Sequence, residues 1–140
     1  MAGKQKNDKR KGSPKQVVTK QKDMKSCLLM LPVEAAAEQL LKALPTINSN
    51  AVEIWTEANI MEIALEGEPL TFEDIMPILE EEEDIKLLSE LGVKQVYACD
   101  YEASDSKQVQ EILKSLMEEL GGFLATDSED FKPFIALEEL

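Results

Sequence analysis

Five acids in succession, Glu80, Glu81, Glu82, Glu83 and Asp84, lie between the apolar residues Ile78-Leu79 and Ile85. Carboxylates at that density can hold a cation, attract a basic partner, or line the wet start of a helix. Consecutive residues fan out around a helical turn, so five in a row do not converge on one ion. Acids in a first turn also interact favourably with the helix dipole, which gives the run a structural reason to exist. A second acidic stretch holds Asp127, Glu129 and Asp130. Counted from Asp127, Phe131 falls where a calcium loop needs a ligand, and Lys132 where an EF-hand needs Gly, so the EF-hand reading fails. These eight acids are the candidate contacts for a basic macromolecule. Binding of a divalent cation through carboxylates is a lesser alternative.

The opposite charge is concentrated at the start of the chain. Residues 1–25 carry Lys4, Lys6, Lys9, Arg10, Lys11, Lys15, Lys20, Lys22 and Lys25 against two acids, a net of +7. The other 115 residues carry −20, which leaves −13 overall. Nine bases without interleaved aromatics suit contact with phosphates of any sequence, and they are the candidate nucleic-acid contacts. The segment has little apolar surface to bury and reads as a disordered basic tail over 1–26. An acidic domain over 27–140 follows.

The remaining chemistry is narrowed by what is missing. The chain has no histidine, no Gly-rich phosphate loop, and a single arginine, Arg10. Histidine-dependent catalysis, the usual zinc ligand and bidentate clamps on phosphate in the body all drop out. Cys27 and Cys99 lie 72 positions apart without a CxxC, and they read as free thiols rather than a disulfide framework. Beside Cys99, Asp100 raises a thiol pKa instead of activating it, so Cys99 reads as a small buried hydrophobe. No window is apolar enough over the roughly 18 residues of a membrane span. The expectation is a cytoplasmic, non-enzymatic regulatory or adaptor protein without a cofactor. It would bind a basic partner through its acidic surface or, alternatively, a nucleic acid or ribosome through the tail.

The elements that position these residues follow from periodicity. Cys27–Leu31 is an apolar run bounded by Ser26 and Pro32, as in a buried strand. A helix follows from Pro32, with Ala36, Ala37, Leu40, Leu41 and Leu44 on one face and Pro45 as its stop. Val52, Ile54 and Thr56, then Met61, Ile63 and Leu65, alternate with polar residues across a turn and read as a hairpin. Trp55 shares the less apolar face of that hairpin with Glu53; it reads as core beneath a covering helix, with an interaction anchor as the alternative. Thr71 and Asp74 give a capping signature for a helix that Pro77 interrupts. Residues 81–91 read as helix with Ile85, Leu88 and Leu91 inward and Gly92 at the C′ position. A strand over 93–99 comes next, then the strongest helix, 105–120, and short strands at 123–126 and 132–137. The order is α+β, β-α-β-β-α-β with a C-terminal α-β-β extension. It predicts a ferredoxin-like, mostly antiparallel sheet with its helices on one face, whose first and fourth strands pair and bring Cys27 near Cys99.

Overall fold

The computed structural model of the protein describes residues 23–126 and 134–140. Ten elements follow one another: β1 (Met24–Leu31), α1 (Ala37–Lys42), β2 (Val52–Trp55), β3 (Ile60–Ile63), β4 (Leu70–Asp74), α2 (Glu82–Glu90), β5 (Gln95–Glu102), α3 (Ser106–Leu120), β6 (Phe123–Ala125) and β7 (Phe134–Ile135). The strands form one seven-stranded sheet in the order β2-β3-β4-β5-β1-β6-β7, and every neighbouring pair is antiparallel. The chain is a mixed α+β fold.

The central strand shows why its sequence does not alternate. Cys27, Leu29 and Leu31 join a core with Leu40 and Ala43 near α1 and with Val109, Ile112, Leu113 and Leu116 of α3. Leu28 and Met30 point the other way, into a second core with Leu88 of α2, Val93, Val96 and Ala125. A strand buried on both faces must be apolar throughout. The sheet therefore carries α1 and α3 on one side, here the front, and α2 on the back. That corrects the expectation of helices on one face. Helical periodicity reports that a stripe is apolar, not which side of a sheet it covers.

The ferredoxin-like order does not account for this sheet. In that order β1 would lie between the hairpin and the strand that carries Cys99, whereas here β2, β3, β4 and β5 run as a meander and β1 lies beyond them. The cause is β4. Leu70 and Phe72 are buried on the front face while Thr71 and Glu73 point to the back, the period of a strand. Thr71 and Asp74 cap no α-helix; Asp74 Oδ1 instead accepts from the Met76 N–H at 2.9 Å, at the entry to the 3-10 turn Met76–Ile78 that holds Pro77. The pairing of β1 with the strand of Cys99 does hold, and Cys27 stands directly opposite Cys99.

Other boundaries shift for identifiable reasons. β1 takes in Met24, Lys25 and Ser26, which pair with Glu102, Tyr101 and Asp100, so the sheet extends past the apolar run into the residues assigned to the tail. α1 starts at Ala37 because the backbone before it bonds elsewhere. The Tyr97 hydroxyl donates to the Ala35 carbonyl, and the Ala37 N–H donates to Asn59 Oδ1 at 2.8 Å. α3 matches its expected span and ends at Gly121-Gly122, with Gly122 at φ 105°. A Cβ on Gly122 would stand 2.3 Å from the Met30 carbonyl oxygen, so close approach of α3's exit to β1 requires glycine.

Candidate functional site

Each strand has one face on the front core, and the other face is only partly covered. α2 and the turn before it lie over the Leu28, Met30 and Val96 region. Beyond that cover, none of the described helices lies over the back of β2, β3, β4 and the far half of β5. Strand parity and register define what it presents. Glu53 pairs with Glu62, Glu62 with Thr71, Thr71 with Asp100, and Asp100 with Ser26. The neighbouring row reads Trp55, Ile60, Glu73, Ala98 and Leu28. Glu53, Glu73 and Asp100 are exposed and Glu62 half-buried, whereas Met61, Ile63, Leu70 and Phe72 on the opposite face are fully buried.

Four acids thus form a continuous track. Glu53 faces Glu62 directly, and Glu73 lies diagonal to both Glu62 and Asp100. Direct neighbours on one face have Cβ atoms about 4.5–5.5 Å apart and diagonal ones about 7–8 Å. No lysine or arginine stands among the described strand residues of this face; Lys25 has the opposite parity, beside Tyr101. Trp55 ends the track on the edge strand and is 44% exposed. Its expected place in a core is corrected, since no described helix covers this half of the sheet. An open indole face beside carboxylates can receive a cationic side chain both electrostatically and through its π face.

The acid run has a different position. Glu81 is the N-cap residue of α2, and Glu82, Glu83 and Asp84 form its first turn, the helix-start role their sequence suggests. Glu80 to Glu83 are exposed and Asp84 half-buried. α2 is fastened through Leu88, and Ile85, expected inward, is 52% exposed. Beside it Met76, Ile85, Leu88, Ser89, Gly92, Val93 and Lys94 line a cleft of about 230 Å³, below the roughly 300 Å³ at which small-molecule sites begin. Asp127, Glu129 and Asp130 lie outside the described residues, as do Lys4, Lys6, Lys9, Arg10, Lys11, Lys15, Lys20 and Lys22. Lys25 is exposed near the start of β1.

The buried polar groups serve the scaffold. Asn59, at φ 54°, ends the hairpin turn and donates through Nδ2 to Asp74 (3.0 Å) and to the Tyr97 hydroxyl (2.9 Å). Burial pushes the Tyr97 phenol up to about 12, against the opposing hydrogen bond from Asn59, and burial does the same to Tyr101. Glu102 and Asp105 accept from the backbone N–H groups of Glu68 and Gly67, both at 3.0 Å, and pin the loop between β3 and β4. Among the described residues, no group of three or more His, Cys, Asp or Glu side chains converges as a metal site would. No described helix is long and apolar enough to cross a membrane. Compared with protein-family models, with curated proteins and with solved structures, the chain matches none.

The track leaves no local signal in the sequence because its acids come from four strands. Alternation within the hairpin already puts Glu53, Trp55 and Glu62 on one side. Glu73 and Asp100 join them only once β4 is recognised and its register set.

Proposed function

We propose that the protein is a non-enzymatic binding module of the cell interior that recognises a lysine- or arginine-rich segment of another protein. The open face of the sheet is the contact, with Glu53, Glu62, Glu73 and Asp100 as charge partners and Trp55 as the anchor. The observation that carries this reading is the direct opposition of Glu53 and Glu62. Like charges facing each other across a ladder destabilise a sheet, so folding alone does not call for them. A basic ligand removes that cost on binding. A one-signed surface also accelerates encounter with a partner of opposite charge. The acids at the start of α2 widen the negative field and have their own role at the helix dipole. Two free thiols suit a reducing, cytoplasmic setting.

The test is a titration of the 15N-labelled full chain with an oligolysine peptide of about eight residues, long enough at roughly 3.3 Å per residue to cross four strands. Amide shifts centred on Glu53, Trp55, Glu62 and Glu73, lost in E62Q/E73Q, are expected. Replacing Glu81, Glu82 and Glu83 with Gln should weaken binding only through the general field. Shifts confined to the start of α2 would move the site there. An absence of shifts at low salt would remove the proposal.

A further inference from the structure

Cys27 of β1 and Cys99 of β5 are register partners in the antiparallel ladder at the middle of the sheet. Residues so paired have Cα atoms about 4.5–5.5 Å apart, inside the span of about 4.4–6.8 Å that a disulfide bridges. Both side chains point to the front face and their sulfurs share a hydrogen bond. Relative exposure is 1% for Cys27 and 0% for Cys99. The three residues that precede Cys27 on β1, Met24, Lys25 and Ser26, are nevertheless all exposed.

We propose that Cys27 and Cys99 are an oxidative modification site, a cross-strand dithiol that small hydroperoxides convert to an intramolecular disulfide while bulky disulfide reagents are excluded. Register supplies the geometry, since no backbone rearrangement has to bring the sulfurs together. Burial supplies the selectivity, because a peroxide is little larger than water whereas a mixed disulfide would need space that the close-packed front core lacks.

The order of steps follows from the unequal surroundings of the two thiols. The hydrogen bond from Cys99 pulls the Cys27 thiol below its ordinary value, although burial and Asp100 oppose it. Burial, then Cys27, push Cys99 well up. The Cys27 thiolate attacks the terminal oxygen of ROOH. The O–O bond breaks, Cys27 becomes a sulfenic acid and the alcohol ROH leaves. The Cys99 sulfur then attacks the Cys27 sulfur, the S–S bond forms, the S–O bond breaks, and the oxygen departs as water with the Cys99 proton. The dithiol gives up two electrons and two protons, and the hydroperoxide is reduced to ROH and water.

The experiment treats the native full chain with hydrogen peroxide, quenches with catalase, alkylates in denaturant and weighs the intact protein. A mass loss of about 2 Da without alkylation is expected. A Cys27–Cys99 linked peptide should be recovered, and the unfolding midpoint should rise on the order of 10 °C. Aromatic disulfide reagents should leave both native thiols intact. Cys99→Ser should stop at a Cys27 sulfenic acid, a gain of about 16 Da that a 1,3-dione traps. The proposal is overturned if both thiols survive peroxide in the wild-type chain, if the disulfide joins two chains, or if oxidation proceeds no faster than exchange of the most protected core amides. The wild-type measurement stands alone should the serine variant fail to fold.

Discussion

Glu62→Gln should make the protein more stable and a weaker binder at once. Glu62 faces Glu53 directly and has Glu73 on its diagonal. Two carboxylates about 6 Å apart in water repel by roughly 0.7 kcal/mol, and like-charged cross-strand pairs cost about 0.2–1 kcal/mol. Removing one direct and one diagonal repulsion should stabilise the fold by about 0.5–1 kcal/mol, a rise in melting temperature of roughly 2–4 °C for a domain of this size. The assay is urea and thermal unfolding of the wild type, E53Q, E62Q and the double variant. Glu138→Gln, an exposed acid in the last turn, controls for net charge. The cycle should return a coupling of about 0.5 kcal/mol between positions 53 and 62, because the second substitution has less repulsion left to relieve. At 1 M salt, where the screening length falls to about 3 Å, the gain should vanish. A destabilised E62Q, strictly additive single variants, or a gain that persists at high salt would refute the reasoning.

Other outcomes follow from the packing. Tyr97 and Tyr101 are the only two tyrosines, and both phenols are raised to about 12. Their contribution to stability is complete below the unfolded value of about 10 and is lost as pH climbs through about 12. Ultraviolet titration should therefore show no tyrosinate near pH 10, and ionisation should coincide with alkaline unfolding. Gly122→Ala puts a Cβ against the Met30 carbonyl at positive φ and should cost more than about 2 kcal/mol in urea denaturation. Leu88→Ala removes the one fully buried side chain of α2 and should cost about 2–4 kcal/mol, with faster amide exchange in α2 than in α3. Trp55, the sole tryptophan, should emit as a wet indole, respond freely to a collisional quencher, and become protected when oligolysine binds.

What could be read from the residues alone divides along physical lines. β1, the hairpin and α3 were legible because apolar continuity, period two and period 3.6 each ran long enough to be unambiguous. β4 was not, because Thr71 and Asp74 offer a plausible cap over five residues whose alternation is equally good. Only pairing with β3 and β5 decides between them. α2 was legible as a helix and its acids as a helix start, but its side of the sheet is a tertiary fact. The run Glu80–Asp84 drew attention because its charges are contiguous in sequence. The track from Glu53 to Asp100 is contiguous only in space, so no local signal marks it.

β2 is an outer strand of the sheet, with Glu53 in its middle and Trp55 at its end. Such a strand offers unpaired backbone groups to any chain that can line up beside it. A second copy adding its own β2 there would bring further glutamates alongside a ladder already strained by Glu53 and Glu62. The opposite border, β7, is two residues long and gives little to grip. The crowding of carboxylates on β2 therefore disfavours edge-to-edge pairing with a second copy of the chain.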